Sequence, residues 1–426
     1  MTQNEFVAPR SLLADLGQLG AGVVSAEAML QAVCDRIEHV DPHIQAFQPE
    51  LGRVQRLRAA LADSSGPWRG VAVGVKDVIH VDGLPTTAGS NLPIGELAGG
   101  QGSAVSQLVA AGAVVAGKTV TAEFAVATPG PTVNPHDLSR TPGGSSSGSA
   151  AAVASGSVPL ALGTQTIGSV IRPAAYCGVV GFTTSHGRVS MDGVIAQAPS
   201  LDAVGWFTAT VSDSAAAAGV LCDRWQSVGA GARPPVLGVP SSAYLAAAEP
   251  AAREAFARQL VALRAAGGDV RETDMFSDTG AIGQHLFVVN RWELARTHDV
   301  WFSRYGEQYR PQTATAIIQG RGIAEADYVA AQRWRRDFVA AFADWTAQLG
   351  IDAWVAPSAP GAAPKGLAST GDSVMSFPFS LIGGPVATVP AGCDADGMPW
   401  GVQCASTTGR DEQVLAAALF VESALS

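Results

Sequence analysis

The stretch GGSSSGSAAAVASG, residues 143–156, leads into LGTQTIGSVIRPAAYCG, residues 162–178. Both segments consist almost entirely of Gly, Ser, Ala and apolar residues. The residues from Gly148 to Ser155 predict a helix, VPLALGT after them predicts a strand, and a second helix is expected to begin near Ser169. Because an apolar run joins the two segments, we expect this part of the chain to be buried in the core, and not to form a flexible Gly/Ser loop.

Strand and helix patterns alternate outward from this segment in both directions. The predicted strands cover residues 71–79, 113–117, 158–164, 235–240, 352–357, 386–392 and 401–405. The predicted helices cover residues 25–38, 51–62, 103–111, 148–155, 249–266, 280–303, 324–349 and 411–424. This alternation predicts the α/β class with a mixed, mostly parallel central sheet. No linker divides the chain, so we expect a single large domain over residues 1–426.

The composition indicates a globular protein that does not bind nucleic acid or a membrane. The 426 residues carry a net charge of −10 and are 47% hydrophobic, which is enough for a large core. The densest basic cluster, Arg333, Arg335 and Arg336, is expected on the solvent face of a helix. The N-terminal MTQNEFVAPR has no apolar signal region, and no run of about 18 apolar residues occurs. With five Cys and no C-x-x-C spacing, we expect reduced thiols and a cytoplasmic location.

Lysine is rare in this chain. Of the 27 basic residues only three are Lys, namely Lys76, Lys118 and Lys365. Arg stays protonated under physiological conditions, whereas a desolvated Lys can lose its proton. Each Lys is therefore a candidate for a role that Arg cannot fill, although Lys365 lies in a Gly/Pro/Ala-rich loop and is expected to have no such role.

The stretch GAVVAGKT, residues 112–119, fits the phosphate-loop pattern G-x-x-x-x-G-K-[ST] letter for letter. A phosphate loop follows a strand and opens a helix, so that its backbone N–H groups converge on a phosphate. Here a predicted helix comes first, and Ala-Val-Val-Ala favours an extended strand. We therefore expect Gly112 to end a helix and Lys118 to close a strand, and we keep nucleotide binding as an alternative only.

The stretch GSSSG, residues 144–148, fits the nucleophile elbow G-x-S-x-G with Ser146 as the nucleophile. An elbow needs a strand immediately before it, but NPHDLSRTPG contains two Pro and predicts a loop. The seven His show no obvious partner for such a Ser, and no His pair has metal-ligand spacing with a Glu. A Ser-His-Asp triad and a zinc site are therefore both disfavoured.

Taken together, a set of motifs across the chain resembles the amidase signature family of serine amidohydrolases. The matching motifs are VGVKD (73–77), EFA (123–125), GGSSSGSAAAVA (143–154), GTQT-x-GS-x-IRPAAYCG (163–178), GRVS (187–190), SLDAVG (200–205), DAWVAPSAPGAAP (352–364) and GGPVATVPAG…GMPWGVQ (383–403). The resemblance covers nearly the whole chain and is weakest from about 211 to 320. It implies the family's fold, with helices on both faces of the sheet. We divide the domain into a signature core at about 70–210, a more variable helical region at about 211–350, and C-terminal strands and a helix at 351–426.

The resemblance implies a catalytic set of one Lys and two Ser. The matching residues are Lys76, Ser145, whose preceding peptide is cis in the family, and the nucleophile Ser169. Lys76 sits in an apolar strand, where desolvation lowers the pKa of an amine and lets it accept a proton. A serine hydroxyl needs such a base, and Ser145 can relay the proton because a hydroxyl both donates and accepts.

The residues directly before Ser169 are expected to supply an oxyanion hole from the backbone of Thr166, Ile167 and Gly168. Family members commonly have Asp at position 165, although Gln also occurs there, and usually have Gly or another small residue at position 167, where this chain has Gln165 and Ile167. We expect Ile167 to narrow the acyl pocket or to stiffen the loop. Two neighbours, Arg172 and Cys177, are expected to be structural, Arg172 paired inside the fold and Cys177 as a small core residue. Residues between Phe124 and Asn134, and from Ser373 to Phe379, are candidates for the pocket wall.

The sequence thus predicts hydrolysis of a carboxylic amide on Ser169, with protons passing through Ser145 to neutral Lys76. No cofactor or metal is implied, and the expected partner is a small-molecule amide. Dimers are common in the family, which makes a homodimer an open expectation. Two alternatives share the scaffold: the glutaminase subunit of a tRNA-dependent amidotransferase, and a catalytically silent binding protein. The net acidity and the GTQTIGS variant disfavour the glutaminase.

Overall fold

The computed structural model describes residues 5–229 and 233–426. The first four residues of the N-terminal stretch lie outside this range. The helices are α1 (Leu12–Gly20), α2 (Ala26–Ile44), α3 (Arg53–Asp63), α4 (Ser103–Ala110), α5 (Ser147–Ala154), α6 (Ile171–Cys177), α7 (Val211–Leu221), α8 (Ser242–Leu245), α9 (Pro250–Ala265), α10 (Thr279–Thr297), α11 (Asp299–Tyr305), α12 (Pro311–Arg321), α13 (Glu325–Gln348), α14 (Phe377–Ile382) and α15 (Asp411–Leu425). The strands are β1 (Ala72–Lys76), β2 (Val114–Thr119), β3 (Leu160–Gln165), β4 (Val180–Thr183), β5 (Ala203–Thr208), β6 (Val236–Val239), β7 (Asp269–Glu272), β8 (Ala353–Pro357), β9 (Val386–Cys393) and β10 (Pro399–Ala405).

The strands of the described residues form one mixed sheet in the order β2-β1-β3-β5-β4-β9-β10-β8-β6-β7. The two ends of the sheet are parallel, where β1 pairs with β2 and β3, and β6 pairs with β7 and β8. The pairings from β3 through β5, β4, β9 and β10 to β8 are all antiparallel. The α/β class and the mixed sheet are confirmed, but the expectation of a mostly parallel sheet is wrong, because the antiparallel centre outnumbers the parallel pairings by five to four.

Helices cover both faces of the sheet, as expected. Alternate residues of a strand point to opposite faces, and in β1 Val73 and Val75 belong to one apolar cluster while Ala72 belongs to another. The first cluster takes its helical residues from elements that include α4, α7 and α15. The second takes them from elements that include α2, α3 and α5. Strands buried on both sides read as continuous apolar runs, which is why β1 and β3 were visible in the sequence.

The predicted helices are present, but the helix predicted over 25–38 extends to Ile44 and another is divided. The segment predicted as one helix over 280–303 forms α10 and α11, which meet at His298. That imidazole is fully buried and its Nδ1 lies 2.9 Å from the Tyr309 hydroxyl. Among the described residues, no helix combines the length and the hydropathy that a membrane span requires.

Candidate active site

Lys76 ends β1 in the interior of the protein. Its side chain is 0% exposed. The Nζ lies 2.8 Å from the Ser145 Oγ and 2.8 Å from the Thr164 Oγ1, and it also donates to the Thr164 carbonyl at 3.3 Å. Burial lowers the pKa of the Lys76 ammonium to about 7; the charge of Asp202 opposes this shift and that of Arg172 adds to it. A lysine at this position can therefore exchange a proton near neutral pH.

Ser145 stands at a sharp turn in front of α5. The Gly144–Ser145 peptide bond is cis, as the resemblance implied. Gly143 before it has a φ of +82°, a backbone conformation that favours glycine. The carbonyl of Ser145 accepts a hydrogen bond from the Ala122 N–H at 3.0 Å, and α5 is buried along its whole length. The expectation that the Gly/Ser/Ala-rich segment is part of the core is confirmed.

Ser169 lies between β3 and α6, at the same end of the sheet. Its carbonyl accepts a hydrogen bond from the Ser146 N–H at 3.4 Å, which fixes the two serine-bearing turns against each other. The residue is 7% exposed. Among the described residues, its hydroxyl makes no hydrogen bond, so it is not tied to a structural partner. The structure joins Lys76 to Ser145 directly. It links Ser169 to Ser146, the residue after Ser145, through the backbone.

The loop from Thr166 to Ser169 presents backbone donors that nothing else uses. In the part of the chain that the structure describes, the four N–H groups of this loop donate no hydrogen bond. The carbonyl of Ile167 accepts a hydrogen bond from the Ser380 hydroxyl at 2.5 Å. An arrangement of unpaired N–H groups on a fixed loop is what an oxyanion hole requires.

Gln165 ends β3 with a neutral amide that caps the next helix. Its Oε1 accepts hydrogen bonds from the N–H groups of Val170 and Ile171 at 3.0 and 3.1 Å, at the start of α6. The first N–H groups of a helix have no partner within the helix, and a neutral carbonyl oxygen can satisfy them. Gln165 therefore orients the loop that follows it without carrying charge.

Asp202 is a site residue that the sequence did not assign. The SLDAVG motif was noted, but no role was given to its carboxylate. Asp202 is buried, accepts the Thr166 hydroxyl at 2.6 Å, and accepts the N–H groups of Gln197 and Ala198 at 2.8 and 3.0 Å. Burial raises the pKa of Asp202 to about 6 against the lowering effect of these bonds. The carboxylate links Thr166 to the turn before β5, and its charge raises the pKa of Lys76.

Arg172 and Cys177 are structural, as expected, with one difference. Arg172 is buried, and its Nη2 donates to the Gly144 carbonyl at 2.6 Å and to the Thr370 hydroxyl at 3.1 Å. It therefore supports the turn before Ser145 through a carbonyl, and it forms no ion pair among the described residues. Cys177 is fully buried, and burial raises the pKa of its thiol.

The two competing motifs have structural explanations. The Gly112 residue follows α4 with a φ of +106°, and the rest of GAVVAGKT is mostly β2. Lys118 is buried and forms an ion pair with Asp77 at 2.7 Å. The structure thus places this lysine in the scaffold with no open loop around it. In GSSSG, no strand precedes the turn, and the Ser146 hydroxyl donates to the Thr164 carbonyl at 3.3 Å.

Known proteins are similar to this chain in sequence and in fold over nearly their whole length. A model of the family described as Amidase matches residues 28–415. The chain is 32% identical over 466 aligned positions to a Glutamyl-tRNA(Gln) amidotransferase subunit from Geobacter sp., covering 95% of each chain. A crystal structure of an amidase is similar with a TM-score of 0.88 and 30% identity, covering 98% of this chain and 100% of the other. A structure from work on the evolutionary origins of an s-triazine catabolic enzyme is similar with a TM-score of 0.86 and 28% identity, covering 97% and 98%.

Proposed function

Since the chain belongs to the amidase family, we propose that it hydrolyses a carboxylic amide through an acyl-enzyme formed on Ser169. The observation that carries this proposal is the fully buried Lys76, whose Nζ lies 2.8 Å from the Ser145 hydroxyl and whose pKa is lowered to about 7. A neutral amine in contact with a serine hydroxyl is a base of the strength that activation of a second serine needs near neutral pH.

In the proposed first half-reaction the Ser169 Oγ attacks the amide carbonyl carbon. Its proton moves to the Ser145 hydroxyl, and the proton of that hydroxyl moves to the Lys76 Nζ. The carbonyl oxygen becomes an oxyanion and is stabilised by the unpaired N–H groups of the loop from Thr166 to Gly168 and of Ser169. When the C–N bond breaks, the proton returns from Lys76 through Ser145 to the leaving nitrogen.

In the proposed second half-reaction water replaces the amine. The same relay removes a proton from water, the resulting hydroxide adds to the ester of Ser169, and collapse of the second oxyanion releases the carboxylic acid. The proton goes back to the Ser169 oxygen. Every proton in this cycle is carried by Lys76 and the two serines, so the scheme needs no cofactor. The proposed partner is a small-molecule amide.

A glutaminase subunit of an amidotransferase is the second candidate. The similarity to a Glutamyl-tRNA(Gln) amidotransferase subunit over nearly the whole chain favours it. The alignment spans 466 positions, more than the 426 residues of this chain, so the relative carries segments that this chain lacks. Such a glutaminase would turn over glutamine and would be recovered with partner subunits.

A panel of amides tests the proposed function. The purified protein is assayed on aliphatic, aryl, peptide-terminal and urea-type amides, with glutamine included, by following release of ammonia or amine. We expect turnover of at least one simple amide without added protein. Turnover of glutamine alone, together with a partner that co-purifies, would favour the amidotransferase role. Failure on every class would contradict the proposed function.

Ile167 is expected to limit the size of the acyl group. Its side chain is half-buried against the apolar cluster that includes Met375 and Phe379. Replacing it by Gly removes four carbon atoms beside the oxyanion loop, so the ratio of kcat/KM for a bulky acyl amide over a small one should rise roughly tenfold or more. The Ile167→Val variant, which removes a single methylene, is the control and should change the ratio much less.

The ratio separates this effect from a change in loop flexibility. Gly at position 167 also loosens the backbone, and that would lower kcat/KM for all substrates by the same factor. An unchanged ratio in Ile167→Gly would show that this side chain does not shape the acyl pocket.

A further inference from the structure

The short turn Val374–Ser376 packs against Gly168 in the loop from Thr166 to Ser169. A Cβ placed on Gly168 would come within 3.0 Å of both the Ser373 Cβ and the Ser376 Oγ. Position 168 therefore has no room for a side chain. The space beside the Gly168 Cα is occupied by the Ser376 hydroxyl, which faces the loop that carries Ser169.

This hydroxyl is buried and has no partner. Ser376 is 1% exposed, and its Oγ makes no hydrogen bond to any described residue. Ser376 also precedes α14, where a serine hydroxyl commonly accepts a hydrogen bond from the first helical N–H groups, yet no such bond is formed. An unpaired buried hydroxyl lowers the stability of a fold, and no contact among the described residues accounts for a serine at this position.

The turn that carries the hydroxyl is held rigidly. The Met375 carbonyl accepts hydrogen bonds from the Tyr244 hydroxyl at 2.5 Å and from the Gln403 amide at 2.8 Å. The Ser376 N–H donates to the Ser373 carbonyl at 2.8 Å. Farther along α14, Ser380 binds the Ile167 carbonyl. These bonds hold the backbone of the turn and of the loop from Thr166 to Ser169 in fixed positions, so the Cα of Ser376 is fixed beside Gly168.

We propose that the Ser376 hydroxyl is a further catalytic group, which donates a hydrogen bond to the reacting carbonyl oxygen as it becomes an oxyanion. This inference rests on the proposed amide hydrolysis. A donor that is already desolvated and fixed in position needs little reorganisation when charge develops beside it, which is the condition under which such donors are most effective. It would act beside the N–H groups of the loop, and no proton is transferred.

The test compares Ser376→Ala with wild type on the best substrate of the amide panel. We expect kcat to fall roughly 100-fold, with KM changed by less than about threefold, because the bond forms mainly in the transition state. Affinity for a boronic acid with the same acyl group, which forms a tetrahedral adduct with a serine, should fall with kcat. Ser376→Thr keeps the hydroxyl and should recover part of the activity.

Ser406→Ala is the matched control. Ser406, directly after β10, is also 1% exposed, and its hydroxyl has no hydrogen-bond partner among the residues that the structure describes. Removing either hydroxyl should leave the unfolding midpoint unchanged or higher, but only Ser376→Ala should lose kcat. If wild type is active and Ser376→Ala keeps kcat within about twofold, or if both variants lose it equally, this inference is wrong while the proposed function stands. If wild type hydrolyses no amide, both fail.

Discussion

Replacing Ser169 by Ala should abolish amide hydrolysis and covalent labelling by a fluorophosphonate probe. Removal of a serine nucleophile leaves only the binding and oxyanion contributions, so we expect kcat to fall by at least about 10⁴-fold. The Ser169 hydroxyl makes no hydrogen bond to a described residue, and its loss should therefore change the unfolding midpoint little. The measurements are turnover of the best amide, labelling followed by mass spectrometry of the modified peptide, and thermal unfolding.

Ser146→Ala is the control for this result. Ser146 is the serine that the nucleophile-elbow pattern would select, and its hydroxyl is already engaged with the Thr164 carbonyl. The Ser146→Ala variant should still react with the fluorophosphonate probe and should retain most of the wild-type activity. Labelling that survives in Ser169→Ala and disappears in Ser146→Ala would move the nucleophile to the elbow position. A wild-type protein that neither labels nor turns over any amide would instead be a binding protein on this scaffold.

The residues of the candidate site could be selected from the sequence because they lie in motifs that resemble those of the amidase signature family. Lys76 and Ser145 are 69 residues apart, and Ser169 follows 24 residues later, so spacing alone does not place them together. Apart from the family resemblance, the evidence for Lys76 was the rarity of Lys in this chain and the apolar strand around this residue. These features predict a buried amine, and the structure shows one, but its contact with Ser145 follows from the pairing of β1 with β3 and the turn before α5.

The centre of the sheet was not predictable in the same way. The segments of β4 and β5, VGFT and AVGWFT, were not assigned as strands from the sequence. Without them the alternation of strands and helices looks like a series of parallel crossovers. Their antiparallel pairing with β3 and β9 is decided by long-range contacts across the sheet, which no local pattern specifies.

Asp202 and Ser376 were missed for a related reason. Each is one polar residue in a short segment, and its significance depends on which distant groups it meets. A carboxylate in SLDAVG could equally be a surface residue, and Ser376 was covered only by the broad expectation that residues 373–379 wall the pocket. The signal that could have found Asp202 is its position in an otherwise small and apolar motif. The role proposed for Ser376 rests only on its lack of a hydrogen-bond partner among the described residues and on its position beside Gly168.

Replacing Lys76 by Met should lower kcat/KM by roughly 10³-fold or more. The change removes the proposed base and keeps an unbranched side chain of similar length in a cavity that is 0% exposed. General bases typically contribute 10²- to 10⁴-fold, and a base that also returns the proton to the leaving group lies at the upper end of that range. In wild type, kcat/KM should rise as the pH increases through about 7, where the Lys76 amine loses its proton.

The same substitution should change how stability depends on pH. The pKa of Lys76 is about 7 in the folded protein and ordinarily 10.5, so between these values the unfolded chain holds a proton that the folded chain lacks. The free energy of unfolding of the wild type therefore rises with pH in this window. Relative to that of Lys76→Met, it should rise by up to about 1.4 kcal/mol per pH unit. Below pH 7 the folded and the unfolded chain both hold the proton, so the difference in free energy of unfolding between wild type and Lys76→Met should become constant. Denaturant unfolding of both proteins from pH 6 to 9.5 measures this difference.

Lys76→Arg distinguishes a base from a positive charge. A guanidinium keeps its proton throughout this pH range, so it cannot accept one from Ser145. If Lys76 acts as a neutral base, Arg should be as inactive as Met at every pH. Recovery of activity in Lys76→Arg would mean that position 76 contributes charge, and a wild-type rate that is flat from pH 6 to 8 would place the titrating group elsewhere. Either outcome would contradict the relay through Ser145, because the relay requires an unprotonated amine at position 76 when Ser169 attacks.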